Sequence, residues 1–166
     1  MKIKTLSLAI LIILSMSQIS CSKKETMPTP LDSYYVKAKF NGEMKTFTYY
    51  AQAEKGMKNG NFVHVPFGAS QNEEPPFPAM SFEIWNLEGN ITPGVYSEAE
   101  YLIMGRYSVN GENLYNNVNK IDDFKIRVTS ITEKEFKGTF EGTLTNDSNS
   151  DLVLKVTEGE FFVPFK

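Results

Sequence analysis

The chain has 166 residues, of which 41% are hydrophobic, 13% aromatic and 22% charged, a composition typical of one globular domain with a buried core. Its 17 basic residues are outnumbered by 20 acidic ones. Phosphate binding needs clustered Lys and Arg, so this balance argues against nucleic acid as a partner. The single cysteine excludes an internal disulfide.

The first twenty residues have the layout of a secretory signal peptide. Lys2 and Lys4 form a cationic start, 6–14 is an apolar run too short to span a bilayer, and 15–20 is a small, polar exit. Without this segment the chain carries 15 basic and 20 acidic residues, a net charge of −5. We therefore expect the mature protein to be exported.

The lone cysteine lies where such a signal would be cut. Gln18-Ile19-Ser20-Cys21 resembles the lipobox of bacterial lipoproteins, whose cysteine receives diacylglycerol, although Gln18 stands where leucine is usual. Residues 22–32 contain two prolines and no periodicity, as expected of a flexible tether. We expect a lipid anchor at Cys21 that holds the domain on a membrane of the cell envelope, by preference the outer membrane, on either its periplasmic or its outer face. The alternative is an ordinary signal peptide that leaves Cys21 as a free thiol.

From residue 33 onwards the hydrophobic pattern has a period of two, which predicts β-strands. Val36, Ala38 and Phe40 alternate with polar residues and therefore share the core face of a first strand. Asn41-Gly42 follows, and this pair is a strong hairpin signal because both residues of a type I′ turn need positive φ.

The middle of the chain continues with short strands and turn signals. Strands are predicted at 46–53, 62–67, 80–87, 94–97 and 101–109. Pro66 should confine its strand to a sheet edge or a strand end, because proline cannot donate a ladder hydrogen bond. The proline-rich stretch 70–78 is predicted to be an exposed connection, and the asparagine-rich stretch 110–119 a turn.

The chain ends in three consecutive predicted strands between Asp123 and Phe165. A change of parity in the last strand predicts a β-bulge near Glu158-Gly159, with the glycine taking positive φ. The residues predicted to face inward are Phe124, Ile126, Val128, Phe136, Gly138, Phe140, Gly142, Leu144, Leu152, Leu154, Val156, Phe161, Val163 and Phe165.

The strand count and the regular turns predict an all-β fold for residues 33–166. We expect a single antiparallel β-sandwich of about eight or nine strands. A lipocalin-like β-barrel is the alternative, because Gly138 and Gly142 on the inward face would relieve crowding where a barrel strand coils.

Several motifs support a family resemblance. A strand-turn-strand at Ala38–Glu43 follows the tether, and the C-terminal part carries VTSIT at 128–132, FKGTF at 136–140 and VTEGEF at 156–161. With the cysteine and tether before them, these motifs resemble the small β-rich lipoproteins abundant in Bacteroidota. The resemblance implies an all-β domain in the cell envelope and implies no catalytic residue.

Aromatic residues beside carboxylates suggest one ligand-binding surface. Trp85, the only tryptophan, shares a strand face with Glu83, and Tyr50 would extend this surface. Flat rings stack on sugars while carboxylates and amides hydrogen-bond their hydroxyls. The alternative is a tryptophan that plugs one end of the core. Further tyrosines that could join the surface are Tyr34, Tyr35, Tyr96 and Tyr115.

Other reactive groups are sparse, and we expect no cofactor and no metal. His64 is the only histidine, so multi-histidine zinc sites are excluded and a partly exposed strand histidine is expected. Asp147, Asn149 and Asp151 place oxygens as in an EF-hand loop, but Leu152 stands where that loop needs glycine. A turn is therefore favoured over a calcium site.

These observations predict a non-enzymatic, envelope-anchored lipoprotein whose β domain binds a glycan, a small molecule or a partner protein. One alternative is a structural or accessory subunit of an envelope complex, which would use an apolar patch or an edge strand. Another is a polysaccharide hydrolase, which would need two carboxylates facing each other across a cleft.

Overall fold

The computed structural model describes residues 34–97, 101–117 and 123–166. The predictions for the signal peptide, Cys21 and the tether lie outside these residues. The described part contains no helix long and apolar enough to cross a membrane. Its twelve strands are β1 (Tyr35–Phe40), β2 (Glu43–Phe47), β3 (Tyr49–Ala53), β4 (Gly56–Lys58), β5 (Asn61–Ser70), β6 (Ala79–Trp85), β7 (Gly94–Ser97), β8 (Leu102–Ser108), β9 (Leu114–Asn116), β10 (Lys125–Ile131), β11 (Glu135–Asn146) and β12 (Val153–Pro164).

All twelve strands belong to one sheet, in which the main path runs β2-β1-β12-β11-β9-β8-β6-β5-β3. The two ends of this path are halves of one bent strand, since only Thr48 separates β2 from β3. The Thr48 N–H donates to the Ser70 carbonyl at 3.0 Å, which continues the pairing with β5. The Lys166 N–H likewise donates to the Ala53 carbonyl at 3.0 Å. The sheet therefore curls into a nearly closed antiparallel barrel.

The all-β, antiparallel prediction is confirmed, and the strand order is that of the barrel alternative. More than eight or nine strands are present because long strands are interrupted. β9 and β10 pair with different halves of β11, just as β2 and β3 pair with different neighbours. β9 also lies inside the stretch 110–119, where only a turn was predicted.

The first hairpin has the predicted turn. Asn41 has φ of 48° and Gly42 has φ of 91°, as a type I′ turn requires. Asn41 also joins this hairpin to β12, because its N–H donates to the Lys155 carbonyl and its Oδ1 accepts from the Lys155 N–H, both at 2.8 Å. The turn residue Asn41 thus also helps to hold β1 against β12, and the junction of these two strands is here called the seam.

Aromatic rings fill the inside of the barrel. The Phe67 and Phe82 rings stack with centroids 4.7 Å apart, and Phe136 meets Phe67 edge-on at 5.0 Å. Glycine provides the room, since a Cβ at Gly138 would lie 2.2 Å from the Arg127 carbonyl oxygen and 2.5 Å from the Phe161 ring. The described rings pack closely inside the barrel, which favours a ligand site on its outside.

The predicted bulge in the last strand is present, but the residue with positive φ was assigned wrongly. Lys37 pairs with Glu160 whereas Lys39 pairs with Thr157, so one extra residue enters β12. Glu158 takes φ of 52°. Gly159 is small for another reason, since a Cβ there would lie 2.2 Å from the Phe140 carbonyl oxygen.

Two other positional predictions are wrong. Pro66 lies inside β5, which has neighbours on both sides. Its carbonyl accepts from the Glu54 N–H at 2.9 Å, and Glu54 lies between the end of β3 and the start of β4. The nitrogen of Pro66 faces the same interruption, so the N–H that proline lacks costs no ladder hydrogen bond there. Leu152 is 48% exposed because it belongs to the turn before β12, where its N–H donates to the Asn149 carbonyl.

A charged cluster on the outer wall spans the seam between β1 and β12. The Tyr35 hydroxyl donates to Glu160 Oε1 at 2.5 Å, and Lys37 Nζ lies 2.6 Å from Glu160 Oε2. Hydrogen bonds from Lys37 and Tyr35 lower the pKa of Glu160 below its ordinary value of 4.5. The hydrogen bond to Glu160, followed by burial, raises the pKa of Tyr35 from 10.0 to about 12.

We expect Glu160→Gln to destabilise the protein in a pH-dependent way. The depressed pKa of Glu160 adds stability above pH 4.5 that is lost as the pH falls through its folded pKa. The raised pKa of Tyr35 adds stability below pH 10.0 that is lost as the pH rises through about 12. The difference in unfolding free energy should be under about 1 kcal/mol, because the Lys37 and Glu160 side chains are 37% and 43% exposed. Urea denaturation of both proteins at pH values around 4.5 and from 10.0 to about 12 measures this difference in unfolding free energy. A difference that grows below pH 4 contradicts a lowered pKa of Glu160.

We expect Gly138→Ala to lower the unfolding free energy by about 1–3 kcal/mol, because its Cβ would overlap the Arg127 carbonyl and the Phe161 ring. Gly94→Ala is the matched control, since the nearest atom to a Cβ there is 3.9 Å away. That control should change stability by less than about 0.5 kcal/mol. Equal urea midpoints for the two variants would show that close packing at Gly138 does not matter.

Candidate ligand-binding groove

The outer wall formed by β3, β5 and β6 carries a shallow depression of about 370 Å³, here called the groove. Inward residues of β6 fill the core, so the alternate residues point outward along one row. This row supplies one side of the groove, and β3 supplies the other. Outward residues that line the groove are Tyr50, Gln52, Glu54, Pro66, Gly68, Pro76, Ala79, Ser81 and Glu83.

Small residues make the floor of the groove. Gly68 on β5 pairs with Ser81 on β6, and a Cβ at Gly68 would lie 2.4 Å from the Met80 carbonyl oxygen. The two backbones therefore approach each other too closely for a larger residue at position 68. Ser81 is exposed, and Ala79 adds only a methyl group. A ligand can thus reach the sheet surface between the larger side chains.

Tyr50 stands at one end of the groove on a strained backbone. Its φ is 54°, which is unusual for a bulky residue, and it lies in the bulge between Tyr49 and Gln52 where the pairing with β5 shifts register. The side chain is 57% exposed, and its hydroxyl donates to the Glu73 carbonyl at 3.3 Å. Such strain persists only where the surroundings impose it, and it is a recognised feature of functional sites.

The proline-rich connection 71–78 forms the wall behind Tyr50. The Gln71 N–H donates to the Pro78 carbonyl at 2.8 Å, which closes the base of the connection. The Asn72 side-chain amide donates to the Phe77 carbonyl, and the Ser70 hydroxyl donates to the Asn72 carbonyl. These bonds keep the wall in one shape, so the groove exists before any ligand arrives.

Glu83 lies at the other end of the groove and joins three neighbours. The Trp85 indole N–H donates to Glu83 Oε2 at 3.2 Å, and His64 Nε2 lies 3.3 Å from the same oxygen. Arg106 Nη1 lies 3.8 Å from Oε1. Every partner is a donor or a cation, which suits a carboxylate that acts as a fixed hydrogen-bond acceptor.

The only histidine and the only tryptophan of the chain stack on each other. The His64 and Trp85 rings have centroids 3.5 Å apart and planes 15° apart. Gly56 pairs with His64, and a Cβ at that glycine would lie 2.6 Å from the His64 Cβ. β4 therefore holds His64 against Trp85, which fixes the orientation of the indole ring.

A second depression of about 610 Å³, here called the Trp85 pocket, adjoins the end of β6. Leu87 and Leu102 are 64% and 57% exposed in it, so it offers apolar surface to solvent. Tyr101 is anchored by ring contact with the buried Tyr96 at 4.7 Å. The residues that line the pocket are Trp85, Asn86, Leu87, Glu88, Gly89, Tyr101 and Leu102.

The structure places the three predicted ligand residues on one wall. Tyr50 and Glu83 line the groove, and Trp85 lies next to Glu83 and lines the Trp85 pocket. Strand parity was enough to group Glu83 with Trp85 but gave no reason to add Gln52, Glu54 or Pro76. These three come close only because β3, β6 and the proline-rich connection meet in space.

The remaining predicted tyrosines do not join this wall. Tyr34 and Tyr35 contact Phe162 near the seam of β1 and β12, at centroid distances of 4.9 and 6.4 Å. Tyr96 is buried, and Tyr115 lies 6.3 Å from the buried Tyr107 ring. These rings take part in packing or in surface contacts elsewhere on the barrel.

The calcium candidates form a hydrogen-bonded turn. Asp147 Oδ1 accepts from the Asn116 side-chain amide, and Asn149 Oδ1 accepts from the Asp151 N–H at 3.0 Å. Glu158, which would take the place of the bidentate glutamate in an EF-hand loop that starts at Asp147, instead lies 2.6 Å from Lys39 Nζ. Within residues 34–97, 101–117 and 123–166, no group of three or more His, Cys, Asp or Glu residues is arranged to hold a metal ion.

No family model, curated protein or solved structure matches this chain. The resemblance to Bacteroidota lipoproteins therefore stays a prediction. What can be argued about the ligand comes from the groove itself. Its lining combines carboxylates, an amide and hydroxyls with the flat ring of Tyr50 and the apolar pyrrolidine rings of Pro66 and Pro76. The aromatic ring and the apolar proline rings, together with the polar groups, suit a molecule that has hydroxyl groups on its edges and apolar faces.

Proposed function

We propose that this protein is a lipid-anchored, non-catalytic binding protein of the cell envelope, and that the groove binds a glycan. The observation that carries the proposal is the groove on the outer wall, which is bounded by the strained Tyr50 at one end and the fixed Glu83 at the other. The packed interior supports an outer site, because aromatic rings occupy the space where a barrel would otherwise hold a ligand.

Sugar chemistry matches the groups in the groove. Carboxylates of Glu54 and Glu83 accept hydrogen bonds from hydroxyls, and the Gln52 amide and Ser81 hydroxyl can both donate and accept. The Tyr50 ring offers a flat apolar face to a pyranose ring. The preformed wall at 71–78 lowers the entropy cost of binding.

A hydrolase is the second candidate, and the specific observation in its favour is that two carboxylates, Glu54 and Glu83, line the same groove. Glycoside hydrolysis needs one carboxyl group that gives up a proton to the leaving oxygen. Both Glu83 oxygens instead face donors or a cation from His64, Trp85 and Arg106. This arrangement suits Glu83 to accepting hydrogen bonds from a bound ligand, and it leaves Glu54 as the one groove carboxyl group that could act as the acid.

An accessory subunit of an envelope complex is favoured by another observation, the exposed apolar side chains of Leu87 and Leu102. These residues lie in the Trp85 pocket, whereas the groove beside it also carries hydrogen-bonding side chains, those of Gln52, Glu54, Ser81 and Glu83. The groove therefore favours a ligand with both hydroxyl groups and apolar faces, such as a glycan, as the primary function.

We expect Ser81→Trp to abolish glycan binding, because the indole would fill the groove between Gly68 and Glu83. Thr46→Trp on β2 is the matched control, since Thr46 is also an exposed strand residue but lies outside the groove. A glycan array followed by calorimetry should show at least about a tenfold loss for Ser81→Trp, near 1.4 kcal/mol, and none for the control.

The same experiment tests the alternatives. Absence of binding to any glycan by the wild-type protein, or equal binding by both tryptophan variants, would overturn the proposed site. Release of reducing ends from a bound glycan, lost in Glu54→Gln and Glu83→Gln, would make the protein a hydrolase. Each substitution keeps the size of the side chain, removes its charge and replaces one acceptor oxygen with an amide NH2 group.

We expect Cys21→Ala to lose both lipid labelling and membrane attachment. Cells grown with a fatty-acid analogue should label the wild-type protein, because Cys21 is the only cysteine that can be acylated. Ser22→Ala is the control and should still be labelled. Equal labelling of the Cys21 variant, or a processed form that remains unlabelled in the wild type, would end the lipoprotein proposal.

A further inference from the structure

The groove and the Trp85 pocket lie along the same strand. Ala79, Ser81 and Glu83 line the groove, and Trp85, two residues beyond Glu83 on the same outward row, lines the pocket. From Ala79 to Trp85 the row covers six residue steps of about 3.3 Å each, or about 20 Å. A path of this length accommodates several sugar units placed end to end.

Glu83 connects the two depressions. It lines the groove, and through Oε2 it also accepts the Trp85 indole N–H at 3.2 Å. His64 covers one face of the indole, and Leu102 pairs with Trp85 across the neighbouring strand. The indole is therefore fixed at the junction, so stacking a ligand on it costs little side-chain entropy.

We propose, building on the glycan-binding function above, that the groove and the Trp85 pocket form one extended site for a straight, neutral, β-1,4-linked oligosaccharide. The groove binds the first units, and the Trp85 pocket binds a terminal unit against Trp85, Tyr101 and Leu102. Trp85 is thus a length-determining residue, and short oligosaccharides leave it untouched.

Charge and shape select this ligand class. Glu54 and Glu83 line the groove and Glu88 lines the pocket, so an anionic polymer would be repelled, while neutral hydroxyls donate to these carboxylates. Arg106 lies against Glu83 and offsets one of these charges, so the site as a whole stays negative. A β-1,4 linkage gives a straight chain that can follow the row on β6, whereas a compact or strongly curved glycan would contact only one depression.

The test uses the mature full-length protein and β-1,4-linked glucose oligomers of two to six units. We expect affinity by calorimetry to rise about tenfold or more between the shortest and the longest oligomers. Fluorescence reports on the pocket directly, since Trp85 is the only tryptophan. Its emission should change with the long oligomers and stay constant with the short ones. Anionic β-1,4-linked mannuronate oligomers of the same lengths should not bind.

Two variants separate the pocket from the groove. Trp85→Ala and Leu102→Asp should each bind all oligomers with the affinity that the wild type has for the shortest, so the gain with length disappears. Leu102 is 57% exposed, so its substitution should leave the fold intact even if Trp85→Ala disturbs it. Tyr50→Ala should weaken binding at every length.

Several outcomes would overturn the extended site. They are a constant affinity across the series, unchanged Trp85 emission with the longest oligomer, a gain with length that survives Leu102→Asp, and stronger binding of the anionic series. If the array shows binding of another glycan, and Ser81→Trp abolishes that binding, the proposed function is supported and the extended site is contradicted. If Trp85 emission instead shifts with protein concentration alone, the pocket is an interface between copies of this chain.

Discussion

The packing of aromatic rings against glycines inside the barrel is the interaction on which the rest of this structure depends. Phe161 occupies the space that a side chain at Gly138 would need, Phe140 does the same at Gly159, and a Cβ at Gly105 would lie 2.7 Å from the Phe124 ring. Rings and bare backbone interdigitate at close range, so the strands can curl around a closely packed interior. The binding site that we propose therefore lies on the outer wall of the barrel and not inside it.

The outer wall differs from one part of the barrel to another, because the residues that face outward on its strands differ in size and charge. Around the seam of β1 and β12 the outward residues are long and charged, and pairs such as Lys37 and Glu160 cover the sheet. On β5 and β6 the outward residues Gly68 and Ser81 are small, so the sheet surface stays accessible. The contrast between a covered seam and an open wall is what creates the groove.

Glu83 organises this open wall. It contacts His64 from β5, Trp85 from its own strand and Arg106 from β8, so one carboxylate positions side chains from three strands. The strained Tyr50 at the opposite end is held by the register shift in β3 and by the wall at 71–78. If the proposed ligand binds here, the hydrogen bonds at both ends of the groove lower the entropy cost of ordering the site.

The amino-acid sequence by itself determined the features that depend on neighbouring residues. Period-two alternation predicted the strands, Asn41-Gly42 predicted a type I′ turn, and a parity change predicted the bulge in β12, because each is encoded within a few residues. Alternation also grouped Glu83 with Trp85. Only the tertiary structure decided that Pro66 faces a gap between strands, that Glu158 and not Gly159 takes positive φ, and that Tyr50 reaches the wall of Glu83. These outcomes depend on which distant strands become neighbours, and that choice is made by ring packing across the whole barrel.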